Sequence, residues 1–273
     1  ILIILQAKKN HNFMNILEVN SDEYKRWRDR KLSSFTSDID KLMVEIKNPR
    51  NLSASEKSLS SHIINQSNLV FFQLGQNEND IKSSLIDLAG QFGMRDFEIL
   101  ESSEKSGLTK IEVSSESKEK SEYVPYTNKA LNWHTDGYYN NSSESIFSWL
   151  LHCVQPAKYG GENFLLDHEV VFKEYIKRFG SLSDLDRDDA FIIPENKAIG
   201  RPDTSSYVFS NKNIYNRIHM KFSMRKNNIE IKNSLKNGYE NLRKLITDVS
   251  EKYSVVYKLD KNEGILSNNV LHG

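Results

Sequence analysis

From Ala130 onward the chain is a succession of short apolar runs broken by Gly, Asn and Pro, a pattern that leaves few folds open. The runs cover residues 130–136, 145–155, 163–167, 190–193, 207–210, 218–224, 254–259 and 264–272. Short apolar runs bounded by turn formers read as strands. Many of them in series point to a β-sandwich or a jelly roll. Two helical segments interrupt the series. One runs from His168 to Phe179. In the other, Leu235, Tyr239, Leu242, Ile246, Val249 and Tyr253 recur at 4-3-4-3-4 spacing, which marks an amphipathic helix.

The N-terminal third follows a different period. Residues 21–67 read as polar helix, with Trp27, Leu32, Leu42, Met43 and Ile46 as apolar stripes and Ser53 and Glu56 as a capping box. Leu69 to Leu74 reads as a buried strand, and Ile81, Leu85, Leu88 and Phe92 as a helix stopped by Gly93. Residues 102–121, crowded with Ser, Glu and Lys, read as a solvated hairpin or loop. A single domain over residues 1–273 is expected, with helical support up to residue 100 or so and a β core over residues 120–273. The first methionine is Met14, so residues 1–13 are set aside as upstream or appended sequence, and no function is built on them.

Composition removes several function classes. The 37 basic and 37 acidic side chains balance, which lacks the electrostatic footprint of a nucleic-acid or polybasic membrane binder. Cys153 is the sole cysteine, so neither an intrachain disulfide nor a zinc ribbon can form, and a reducing cytoplasmic setting is expected. No apolar run approaches the roughly 18 residues of a membrane span. A Gly-x-Ser-x-Gly elbow, a phosphate loop and a Gly-x-Gly-x-x-Gly turn are all missing from the sequence.

His134 and Asp136 stand two apart in Trp133-His134-Thr135-Asp136-Gly137. That spacing puts both side chains on one side only if the backbone is extended. Gly137 permits a sharp exit, and Tyr138 to Ser143 forms an aromatic, polar loop suited to covering a site. Alternation along 265–272 puts His272 on one face with Val270, Asn268 and Leu266. An imidazole beside a carboxylate, with one distant imidazole, is the donor set that binds Fe(II) and leaves positions open. By contrast, His152 and Cys153 are adjacent and face opposite ways, which argues against a Cys–His pair, and His168 opens a helix, where capping is the usual role.

Trp133-His134-Thr135-Asp136-Gly137, then Pro156-Ala157-Lys158-Tyr159-Gly160-Gly161-Glu162-Asn163, then Asn268-Asn269-Val270-Leu271-His272-Gly273 resemble successive blocks of the taurine dioxygenase-like family. The resemblance implies a mostly β fold with flanking helices around a double-stranded β-helix core (jelly roll, cupin-like). It implies that His134, Asp136 and His272 bind Fe(II) and that Asn163 contacts 2-oxoglutarate. The family's arginine beyond the distal histidine has no counterpart before Gly273. Either the chain is truncated there, or Arg225 or Arg217 replaces it, with the resemblance favouring Arg225. With Asp136 present the implied reaction is O₂-dependent hydroxylation of a small soluble metabolite (an amino acid, sulfonate or other organic acid), coupled to decarboxylation of 2-oxoglutarate to succinate. Asn132, Tyr138, Tyr139 and Arg225 are the expected pocket residues. The expected partners are a small-molecule substrate and a second copy of the chain, with no nucleic acid and no membrane. The competing readings are a cupin-like metalloprotein without 2-oxoglutarate and an inactive fragment or binding module.

Overall fold

The structure is a computed structural model that describes residues 2–9, 22–75, 80–99, 104–113, 124–182, 184–195, 201–210, 218–225 and 229–273. Its largest layer is a seven-stranded sheet in the order β2(Met43–Ile46)-β3(Leu69–Leu74)-β14(Glu263–Ser267)-β6(Ser148–Cys153)-β1(Leu2–Lys9)-β4(Arg95–Phe97), with β5(Thr109–Ile111) also on β1. All pairs in it are antiparallel except β2 with β3. A second sheet orders β13(Ser254–Lys258)-β7(Glu162–Leu166)-β15(Leu271–His272), and a third β12(Glu230–Ile231)-β8(Phe191–Ile193)-β9(Thr204–Ser206). β10(Phe209–Ser210) pairs with β11(His219–Met220).

Two apolar cores follow from this layering. In the first, Ile63 and Ile64 of α3(Ala54–Ser67) and Leu85, Leu88 and Ala89 of α4(Ile81–Gln91) pack against Phe71, Leu150 and Ile265 of the large sheet. The second joins α1(Asp22–Ser33), α5(His168–Phe179) and α6(Lys236–Tyr253) to Phe191, Phe209 and Leu271. Strand β14 is buried at every position between β3 and β6. There Gly264 leaves no room for a side chain: a Cβ would lie 2.2 Å from the Phe72 ring and 2.4 Å from the Leu151 carbonyl.

The capping box at Ser53 and Glu56, the strand at Leu69–Leu74 and the helices at 81–91, 168–179 and 236–253 match the sequence reading. Five features differ. Met43–Ile46, read as helix, is strand β2, because Val44 and Ile46 point inward while Glu45 faces solvent. The run 130–136 forms only isolated bridges at His134 rather than a ladder. The run 264–272 is two strands, since Asn269 adopts a left-handed conformation (φ 54°) that turns the chain from the large sheet into the small one. Residues 2–9, set aside in the sequence, are a strand inside the large sheet. The proposed start at Met14 lies outside the described residues, as do 102–103 and 114–121 of the Ser/Glu/Lys-rich stretch, while its residues 109–111 form β5 in the large sheet rather than a solvated loop. Among the described residues no helix is long and apolar enough to cross a membrane.

Candidate metal centre

His134 and His272 face each other across an antiparallel bridge, each main-chain N–H donating to the other's carbonyl at 3.0 and 2.9 Å. On its other side His134 bridges Ser223. Residue 135 is fixed twice: its N–H donates to Phe222 O at 3.0 Å, and its hydroxyl oxygen accepts from Phe222 N at 3.1 Å. The two rings lie 4.2 Å apart. Gly137, at φ +62°, then turns the chain away beside Ile146, where a Cβ would meet the Ile146 side chain at 2.4 Å.

Each imidazole is locked by the carbonyl two residues before it. Nδ1 of His134 lies 2.8 Å from Asn132 O, and Nδ1 of His272 lies 3.0 Å from Val270 O. A carbonyl only accepts, so each Nδ1 carries the hydrogen and each Nε2 keeps its lone pair. Those two Nε2 atoms sit 3.8 and 3.4 Å from Asp136 Oδ1. The donor atoms of His134, Asp136 and His272 all lie within 4.8 Å of one another, the one such His/Cys/Asp/Glu group found among the described residues. Two neutral imidazoles steered by carbonyls plus one carboxylate fit a first-row divalent ion.

Electrostatics separate the two histidines. Burial, reinforced by His272, pushes His134 down to about 4 against the pull of Asp136. Burial also opposes the charged form of His272, but the adjoining Asp136 outweighs it and raises His272 above its ordinary value. Burial alone would raise the Asp136 carboxyl, yet His272, His134 and the Gln6 amide hold it down at about 2. Asp136 thus favours the charged form of His272, while burial disfavours that of His134.

The sequence matches the model of the taurine catabolism dioxygenase TauD, TfdA family over residues 29–177, more than half of the 273-residue chain. The chain belongs to the TauD/TfdA family. The matched span contains His134 and Asp136 and ends before His272. Three solved structures have a similar fold. AAD-2 in complex with Mn(II) and N-oxalylglycine is 13% identical at a TM-score of 0.53, covering 85% of this chain and 86% of that one. The non-heme iron oxygenase OrfP in complex with Fe and alpha-ketoglutaric acid is 10% identical at 0.52, over 81% and 74%. A taurine dioxygenase from Burkholderia xenovorans is 13% identical at 0.50, over 85% and 79%. No curated protein sequence matches the chain. As a TauD/TfdA-family protein it is a dioxygenase, an oxidoreductase that takes Fe(II) and 2-oxoglutarate.

Sequence reasoning missed the residue that ties the two halves of this TauD/TfdA centre together. Asn269 accepts from the Asp136 N–H at 2.9 Å and donates to Asp136 O at 3.0 Å and Ile146 O at 2.7 Å. It thus clamps the carboxylate segment three residues before His272. The doubled Asn in the distal block was the available signal, but alternation alone assigns it no partner. Asn269→Ala removes the side-chain partner of the Asp136 N–H and of the Asp136 carbonyl, while Ile146 O keeps His219 Nε2 at 2.9 Å. Chemical denaturation should show a loss of about 2 kcal/mol, in the range for unsatisfied buried polar groups, together with weaker metal retention.

Of the other sequence candidates, Arg225 and Tyr139 interact electrostatically with triad residues. Asn163 shares a strand face with Leu165, the cross-strand partner of His272, and its amide donates to Tyr257 O at 3.1 Å. Arg225 lies two residues past Ser223, and its positive charge is among the influences lowering His134. Tyr138 is buried against Tyr139 with rings 5.2 Å apart, and Arg201 stacks over Tyr139 at 5.7 Å. Arg217 lies outside the described residues.

Proposed function

We propose that this TauD/TfdA-family chain hydroxylates a small organic acid or amino acid, on a jelly-roll core in which His134, Asp136 and His272 hold the iron. The observation that carries the reading is the orientation of the donors: both imidazoles are fixed with Nε2 toward one oxygen of Asp136. With iron bound, 2-oxoglutarate and O₂ supply the oxidising power, one oxygen atom ending in succinate and the other in the hydroxylated product. The protein's own residues place and shelter these reactants. Asn132 O and Val270 O hold the Nδ1 protons, so both rings remain neutral ligands. Arg225 is the anchor assigned to a carboxylate of cosubstrate or substrate, where a guanidinium fork suits two oxygens. Asn163 is assigned a further contact to 2-oxoglutarate, and Tyr138 and Tyr139 form the wall that keeps water out.

Anaerobic addition of Fe(II) and 2-oxoglutarate tests the reading. A weak visible charge-transfer band should grow only when both are present, and substrate-dependent succinate should follow on admitting air. Metal uptake without that band would overturn the 2-oxoglutarate assignment. Repeating the titration across pH gives a signed expectation. The metal displaces the His272 proton below that group's raised pKa, so affinity should fall as pH drops through it. The fall should steepen near pH 4, where His134 also protonates.

A further inference from the structure

We infer that Gln6, on strand β1, is a positioning residue that makes Asp136 a one-oxygen ligand. This rests on the assignment of His134, Asp136 and His272 as the metal donors. The two carboxylate oxygens have different surroundings. Oδ1 faces both Nε2 atoms, at 3.8 Å from His134 and 3.4 Å from His272. Oδ2 accepts a hydrogen bond from Gln6 Nε2 at 2.6 Å, across 130 residues of sequence. A carboxylate only accepts, so the amide nitrogen is the atom that must face it. The approach is fixed by the sheet rather than by a loop. Gln6 is the cross-strand partner of Trp149 in the β1–β6 ladder, so both side chains stand on one face. From that face the Trp149 indole contacts the His272 ring edge-on at 5.2 Å. The large sheet therefore addresses two of the three donors through neighbouring side chains, Gln6 to Asp136 and Trp149 to His272. With Oδ2 committed to the amide, the carboxylate cannot swing to chelate through both oxygens, and a coordination position is kept for other ligands. Hydrogen-bond partners of this kind orient metal ligands and are worth about 10- to 100-fold in metal affinity or activity.

The test compares wild type, Gln6→Leu, Gln6→Asn and Leu2→Ala. The leucine keeps the bulk and removes the amide, and the asparagine keeps the amide but shortens its reach. Leu2→Ala loosens the far end of β1, where residue 2 pairs with Cys153 and Ile111, without touching the amide. Mn(II) affinity by EPR and the Co(II) visible spectrum are the readouts, and neither requires turnover. Gln6→Leu and Gln6→Asn should weaken Mn(II) by about tenfold or more. They should also lower the intensity of the Co(II) bands, as Asp136 adds a second oxygen and raises the coordination number, while Leu2→Ala leaves both unchanged. Wild-type affinity and spectrum in both Gln6 variants would overturn the inference. Equal losses in Leu2→Ala would also overturn it, since strand docking alone would then account for them. A wild-type protein that binds neither Mn(II) nor Co(II) overturns the metal-centre assignment as well, which separates the two failures.

Discussion

Asp136→Ala is expected to abolish metal retention and succinate formation while leaving the protein folded. The carboxylate is the single anionic donor between the two imidazoles, with Nε2 atoms at 3.8 and 3.4 Å. Partners one shell out already cost about 10- to 100-fold when removed, so loss of the ligand itself should exceed about a hundredfold in Fe(II) or Mn(II) affinity. The histidines report the change independently. His272 is raised because Asp136 outweighs its burial. In the alanine variant only the Val270 carbonyl still opposes burial, and the His272 titration followed by NMR should move down from its wild-type value. The consequence for stability has a definite sign. Asp136 titrates at about 2 in the folded chain and near 3.9 when unfolded. Its contribution in the metal-free protein is therefore present above about pH 4 and fades as pH falls toward 2. A variant that keeps tight Mn(II) binding would remove Asp136 from the centre.

The largest stability loss is expected at Lys31, which is not one of the candidate donors. Its ammonium is buried and sits 2.6 Å from Asp167 Oδ2 and 2.8 Å from Glu169 Oε2. Burial disfavours its charge, but the two carboxylates outweigh it and raise its pKa. Lys31→Met strands both carboxylates in the interior, and breaking a buried ion pair from one side costs about 3–5 kcal/mol. Because the lysine pKa is raised, the stabilisation is fully present below the unfolded value and vanishes only at strongly alkaline pH, so the loss should be plain at neutrality. Urea unfolding measures it. The triple variant Lys31→Met, Asp167→Asn, Glu169→Gln should recover part of the loss, since the penalty lies in unpaired charge. A single variant within 1 kcal/mol or so of wild type would contradict this account. The effect should reach the metal centre too. Asp167 accepts from the Asn68 amide at 2.9 Å, and Asn68 in turn accepts from the Asn268 amide at 3.0 Å, next to the turn that delivers His272.

Much of the candidate site could be proposed from the sequence because its chemistry lies in residue identity and spacing. His134 and Asp136 are two apart, and His272 closes a block whose order with the first identifies the family. The helices at 81–91, 168–179 and 236–253 were equally readable from their apolar spacing, and β3 from its continuous apolar run. What was lost depended on partners distant in sequence. Met43–Ile46 is a strand beside β3, and its Val44-Glu45-Ile46 alternation is too short to decide against a helix without that partner. The run ending in His272 looked continuous because Asn269 tolerates both extended and left-handed backbone; only its bonds to Asp136 and Ile146 select the latter. Gln6 was invisible for the same reason, since its role exists only through the β1–β6 ladder.

The place of β14 ties folding to assembly of the centre. Residues 263–267 wedge between β3 and β6, so those two strands cannot belong to one sheet until this late segment has been synthesised. The contacts that close the sheet span more than a hundred residues, the kind of long-range pairing that slows folding. His272 follows five residues after β14 ends, beyond the Asn268–Asn269 corner. Insertion of that strand and placement of the His272 imidazole are thus coupled in folding. Until residues 263–272 have docked, only His134 and Asp136 of the candidate donor set are side by side.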